Sequence, residues 1–345
     1  MRRGVSLPGA ESMKSRVSRW ENGHSRPDDF YRRLLREALE LDDRELGLDQ
    51  FRDDAVLSAA EDLRFHLELS KQVDGGLLAA LQGQTESSRV QDRQFGAGQL
   101  LELMRGHVRN LQAHLSHAVF EEARRPVAAV LADAAALAGW QALDVGSVDQ
   151  AWRFLATASA AARQADDAGL YAFARLQQAS VLAELDRAAE AADLASAVWE
   201  SAERRVAPFV RCWLAAATAE MYAGDDRSGG ARAQLRVAES MAGALAASGP
   251  PCLVFDELHL ERWVGHTLVR LHDPAAEPRL TAVAARMDKT FTRASASLTI
   301  DLAAALLQRQ ERSEGLIRLA AGEELARKVG SRRQLRRASR LRLAC

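Results

Sequence analysis

A chain of 345 residues with a formal net charge of −1 is longer than the usual single domain and carries no overall basic field, so any affinity for nucleic acid must come from a local patch. Alanine, leucine and arginine dominate while Pro and Tyr are scarce, which excludes a β-rich protein and points to an all-α fold. Cys212, Cys252 and Cys345 lie far apart without a CxxC, so neither a disulfide framework nor a zinc site is expected; with no secretory apolar segment and no uninterrupted span, the expectation is a cytoplasmic protein without a membrane anchor.

The first segment is locally basic. Up to Arg36, Arg2, Arg3, Lys14, Arg16, Arg19, Arg26, Arg32, Arg33 and Arg36 face only Glu11, Glu21, Asp28 and Asp29. Met13, Val17 and Trp20 recur at helical spacing, while Glu11, Ser15, Ser18 and Arg19 point the other way. Gly23 suits a helix C-terminus and Pro27 the start of a second helix, with Phe30, Leu34, Leu35, Leu39 and Leu41 expected inside. A helix with an apolar back and a Ser/Lys/Arg front, ended by Gly and braced by a second helix, is what a major-groove reader needs. Lys14, Ser15, Ser18 and Arg19 are therefore the expected DNA contacts, with Arg16 and Arg26 on phosphates.

The string Val17-Ser18-Arg19-Trp20-Glu21-Asn22-Gly23, followed by Ser25-Arg26-Pro27 and by Asp42-Asp43-Arg44-Glu45-Leu46-Gly47-Leu48, resembles the recognition and closing helices of the XRE-type (phage-repressor-like) helix-turn-helix domain. The resemblance is closest to actinobacterial regulators that carry such a head before a long helical-repeat region. It implies a DNA-binding domain over residues 1–48. That family has two helices ahead of the recognition helix. Here sixteen residues precede Val17, among them the helix-breaking Gly4, Ser6, Pro8 and Gly9, so the first two helices are expected to be missing. Gly4-Val5-Ser6 resembles the turn after the second helix, and the stretch from Leu7 to Arg16 is longer than the family's usual link. A true start upstream of Met1 is the favoured expectation over a degenerate head.

A helical connector is expected over residues 49–125. Its first helix, residues 49–73, uses Phe51, Val56, Leu63, Leu67 and Leu69, and Asp74-Gly75-Gly76 breaks it. Leu77 to Leu81 reads as a short helical turn and Gln82 to Ser88 as a boundary. A longer helix follows through Leu100, Leu101, Leu103, Met104, Val108, Leu111 and Leu115. The preceding Asp92-Arg93 and Gly96-Ala97 resemble a segment that leads into the repeats of the same regulators. Gly96-Ala97-Gly98 is not a dinucleotide loop, since no strand precedes it and the third glycine is missing.

Residues 126–345 read as tetratricopeptide-like hairpins forming an α-solenoid. Small residues recur twelve apart: Gly139 with Ala151, Ala179 with Ala191, Ala217 with Gly229, and Ala303 with Gly315. Turns lie between them at Val145-Gly146, Leu185-Asp186, Gly224-Asp225 and Gln310-Glu311. The repeat is about 40 residues, longer than the roughly 34 of a tetratricopeptide unit. A further hairpin between Asp256 and Phe291 keeps Gly265 but has Glu277 where the small partner belongs. Trp140 and Trp152, Leu182 and Trp199, Trp213 and Leu235, Trp263 and Met287, and Leu306 and Leu319 fill the pairs as core. The basic end, Arg332, Arg333, Arg336, Arg337, Arg340 and Arg342, is expected to be a solvated cap seated on Leu335, Leu341 and Leu343.

No phosphate loop, G-x-S-x-G elbow or H-E-x-x-H occurs. His107, His114 and His117, with Glu121, share a helix face but read as ordinary exposed or half-buried histidines, and Asp166-Asp167 and Asp225-Asp226 as turn residues. No catalytic, cofactor or metal residue is assigned, and the chain is not expected to be an enzyme. The expected function is a DNA-binding transcriptional regulator whose repeat groove takes an effector peptide, a small molecule or a protein partner, with homodimerisation left open. The alternative is a repeat-based protein–protein interaction protein with a head that does not bind DNA.

Overall fold

In a computed structural model, residues 10–22, 24–25, 27–42, 45–46, 75–246, 249–288 and 290–344 are described, with isolated positions between 61 and 67. Two compact units divide the chain, Met1–His66 and Leu67–Cys345. Among the described residues every regular element is a helix, so the fold is all-α.

The first unit contains α1 (Ala10–Glu21) and α2 (Asp29–Leu39). The Asp28 carboxylate caps α2 by accepting from the Tyr31 amide at 3.0 Å, satisfying one of the orphan donors of a helix N-terminus. At the end of α1 the amides of His24 and Ser25 both donate to the Arg19 carbonyl. Met13, Val17 and Trp20 form the expected inward face, and the Trp20 and Tyr31 rings lie 5.2 Å apart. The expected interior of α2 is only partly realised. Tyr31 is buried and Leu34 and Leu35 are half-buried, but Phe30 (39%), Leu39 (53%) and Leu41 face solvent. The physical reason is coverage: a helix three turns long that packs on one described neighbour shields a single stripe. Residues 49–73 fall almost wholly outside the described residues.

The second unit begins with α3 (Gly75–Phe95) and α4 (Leu100–His117). Here the expected boundary at Gln82 to Ser88 is corrected. It lies within one continuous helix, and Thr85 and Ser88 are buried because that helix packs on the body; the Thr85 hydroxyl meets His107 Nε2 at 2.9 Å. His107 is therefore a core residue rather than a surface one. Its neighbourhood falls in the second unit.

Hairpins follow as α5 (Glu121–Asp144) with α6 (Val148–Gln164), α7 (Ala168–Glu184) with α8 (Ala188–Ala202), and α9 (Pro208–Gly224) with α10 (Ser228–Ser240). A short 3-10 turn precedes α11 (Glu257–Arg270) with α12 (Ala276–Arg286), then α13 (Thr292–Gln308) with α14 (Arg312–Lys328), and last α15 (Arg332–Leu343). Among the described residues only α5 is long and apolar enough to cross a bilayer, and most of it is buried against its neighbours.

Each hairpin turns on one left-handed residue: Gly146, Asp186, Asp226, His272 or Gln310. A small residue stands seven before and five after that residue in four of the five, the pairs being Gly139/Ala151, Ala179/Ala191, Ala219/Ala231 and Ala303/Gly315. This corrects one expected pair by two positions. Gly229 is exposed and a β-carbon added there would meet none of the described neighbouring elements within 4 Å, whereas Ala219 and Ala231 are fully buried. At the fifth turn, Gly265 is met by Leu280, and Glu277 sits half-buried beside Arg309. Trp213, Leu235, Leu306 and Leu319 are core as expected, but Trp152 is exposed, because it lies on the outer side of α6.

The repeats do not end in an open array. α5, α7, α9, α11, α13 and α15 each pack on the next to form an inner layer, with α6, α8, α10, α12 and α14 outside it. The layer then closes: α15 returns to α5, and α13 packs on α3. Gly96, at φ 82°, lies so close to Val329 that a β-carbon built there would stand 1.9 Å from the Val329 carbonyl oxygen. The solvated cap expected at the basic end is thus corrected in part. Ser331, Gln334 and Ala338 are buried and Arg333 and Arg337 turn inward to Glu184 and Asp301, while Leu341 is half-buried against the core as expected, Arg336, Arg340 and Arg342 stay exposed, and Leu343 is 88% exposed.

Candidate functional site

Closure of the inner layer leaves a cavity of about 280 Å³, lined from α3, α5, α7, α9, α11, α13, α15 and the 252–255 segment. One wall is aromatic. Phe173 and Trp213 lie 5.1 Å apart, Trp213 and Trp263 6.3 Å, and Trp263 and Phe255 6.4 Å, in tilted or edge-to-face pairs. Phe291 carries His259 on one side and Arg93 on another, and Trp140 lies under Arg333 at 5.1 Å. Trp140, Trp213 and Trp263 were read from sequence as core because cavity wall and core share the same helical spacing.

Much of the remaining lining is charged, and most of it is internally paired. Arg293 binds Asp92 and approaches Asp144 at 3.1 Å, while the Ser331 hydroxyl donates to Asp144 at 2.6 Å. Arg333 donates to Glu184 at 2.6 Å, and Arg337 binds Asp301. His266 lies between two carboxylates, 3.2 Å from Glu220 and 2.8 Å from Asp301, with Arg270 Nε 3.2 Å away. Burial would raise the Glu220 carboxyl, but His266, Arg270 and Arg333 hold it well below the usual carboxylate range. Asp301 is likewise held low against its burial by Arg337 and His266. Burial pushes the His259 imidazole and the Arg262 guanidinium down and the Cys252 thiol up.

Seven arginines line the cavity against three carboxylates, Asp92, Glu184 and Glu220. Sequence reasoning assigned none of these residues. The signal that points to them is the presence of Asp144, Glu220 and Asp301 on otherwise apolar helix faces.

Comparison with family models, curated proteins and solved structures gives no match to this chain.

In the first unit, Lys14, Ser15, Arg16, Ser18 and Arg19 are all exposed on α1. Arg16 donates to the Tyr31 hydroxyl at 3.0 Å and lies over its ring, so its charge is tied to α2. The Asn22 amide donates to the Ser18 carbonyl at 2.6 Å. Arg26 lies outside the described residues. Among the described residues no cluster of His, Cys, Asp or Glu is placed to hold a metal ion.

Proposed function

We propose that the chain is a DNA-binding transcriptional regulator, acting in the cytoplasm, whose helical-repeat body takes a small-molecule effector that alters DNA occupancy. The reading rests on one observation above the others: α1 presents Lys14, Ser15, Ser18 and Arg19 to solvent and keeps Met13, Val17 and Trp20 inward, with a turn and a second helix behind it. That arrangement suits a helix entering the major groove, and the XRE-type resemblance of Val17 to Gly23 supports it. The cavity supports the effector half of the reading and favours a small molecule over a peptide. Its volume of about 280 Å³ is close to the lower bound of roughly 300 Å³ for small-molecule sites.

The test is recovery and sequencing of genomic DNA bound to the full chain, followed by titration of a recovered site at several salt concentrations. Phosphate contacts release counterions, so affinity falls steeply with salt. Arg19→Ala then costs about 1 to 3 kcal/mol if Arg19 reads a base edge. Unchanged affinity in Arg19→Ala removes it from the interface. A second reading, an interaction protein whose head meets protein instead of DNA, is favoured by the exposure of Phe30, Leu39 and Leu41. A flat salt dependence with no sequence enrichment selects it.

A further inference from the structure

Six of the seven arginines in the cavity wall have a carboxylate partner: Arg89 with Asp133, Arg93 with Glu86, Arg270 with Glu220, Arg293 with Asp92, Arg333 with Glu184 and Arg337 with Asp301. Arg262 does not. Among the described residues it makes no hydrogen bond or ion pair, and its Nε is buried without a partner. The side chain is half-buried and lines the cavity, where burial penalises its charge. The Asp301 and Glu220 carboxylates act on it only from beyond ion-pair distance, and a partly desolvated charge without a partner in contact is costly and is retained where something else supplies that contact. Beside it stands Trp263, whose ring joins the aromatic wall, and the buried Gln177 Oε1 in the same wall also lacks a donor.

We propose that the cavity binds a small planar, largely aromatic acid, its ring system against Trp213, Trp263 and Phe255 and its anionic group on the Arg262 guanidinium. This inference deepens the effector half of the proposed function and rests on it. The chemistry follows from the walls. Edge and face contacts with indoles favour a flat ring system, and a guanidinium freed from internal pairing binds a carboxylate, sulfonate or phosphate oxygen in its fork. The size limits the ligand to a compact one, since 280 Å³ lies at the lower end of the range for small-molecule sites, which begins at roughly 300 Å³.

The experiment uses the full chain and two probes that share a flat aromatic body and differ in charge: naphthalene-2-sulfonate and the neutral naphthalene-2-sulfonamide. Binding is followed by quenching of tryptophan emission and by calorimetry, without DNA, so failure of the DNA-binding reading and failure of this one register separately. The expected result is binding of the sulfonate at one site per chain, weakened about tenfold or more by Arg262→Gln and largely kept by Arg262→Lys, while the neutral probe binds more weakly and ignores both substitutions. Because Arg262 has no internal partner, Arg262→Gln is also expected to melt at the wild-type temperature or above it. Sulfonate binding that is unaltered in Arg262→Gln, equal affinity for the neutral probe, or no sulfonate binding at all overturns the proposal. So does an Arg262→Gln chain that unfolds or melts lower, since Arg262 would then serve the fold.

Discussion

Replacing Arg293 by Met tests whether the ring is closed by charge. The Arg293 guanidinium is buried and reaches from α13 to Asp92 on α3 and Asp144 at the end of α5, residues that are 3% and 1% exposed. Without it, Asp144 keeps the Ser331 hydroxyl at 2.6 Å but Asp92, 3% exposed, loses its counter-charge. Removing one partner of a buried ion pair costs about 3 to 5 kcal/mol, against about 0 to 1 for an exposed pair. Urea unfolding monitored by tryptophan emission reads the loss, and the buried setting makes it persist at high salt. The triple variant Arg293→Met/Asp92→Asn/Asp144→Asn removes the stranded charges, so it is expected to recover most of the loss. A decrease below about 1 kcal/mol for Arg293→Met, or one abolished by salt, would refute the claim that this triad bolts α13 to α3 and α5.

Gly96→Ala is expected to destabilise the body by about 2 kcal/mol or more in the same assay, because a left-handed residue without glycine is strained and the added carbon meets the Val329 carbonyl. Ala219→Leu is expected to cost about 1 to 3 kcal/mol by overpacking a helix crossing. Gly229→Ala, in open space near the start of α10, is expected to gain about 0.5 to 1 kcal/mol; the reverse ranking in thermal melts would restore the other register. His107 and His259 are held neutral by burial, with folded pKa values below the ordinary 6.5. Their contribution is complete above that pH and is lost as pH falls through the folded values, so stability should decline from about pH 6.5 downward. Glu220 and Asp301 add to the decline only once the pH falls below about 4, where an unfolded carboxylate begins to bind protons. Unfolding free energy that stays level from pH 7 to pH 5 would contradict the histidine part.

The helical class and the hairpins were legible because both leave local marks: a small residue on each side of a crossing and a turn between them. The register at α9 was not, since Ala215, Ala216, Ala217 and Ala219 offer several small residues in succession and only the left-handed Asp226 decides among them. Closure left no local mark at all. Asp92 and Arg293 are 201 residues apart and Asp144 and Ser331 187, so no period in the chain connects them. For the same reason Arg333 and Arg337 looked like solvated residues, when Arg333 answers the half-buried Glu184 and Arg337 the buried Asp301 on other helices. The outward face of α1 was readable from spacing alone, but the exposure of Phe30 and Leu39 depends on how much surface lies opposite them, which spacing does not contain.

Closure also changes how the body holds together. In an open solenoid each repeat touches only its neighbours, so stability is a sum of local terms and the end repeats fray. Here the ends are tied to each other: α15 rests on α5 and α13 on α3. Bringing together points about 200 residues apart in a flexible chain would cost roughly 5 kcal/mol of loop entropy. Stacked hairpins of fixed curvature have already lost most of that freedom, so the contacts at the seam are gained against a smaller penalty. The buried Arg293 triad, the Ser331–Asp144 hydrogen bond and the Gly96–Val329 contact therefore act on the whole ring at once. Helices at both ends of the body should exchange their amide hydrogens with similar protection, and Arg293→Met should lower that protection in α3 and α15 together. Protection that falls away toward α15 in the unaltered protein, as in an open array, would show that the seam contributes nothing.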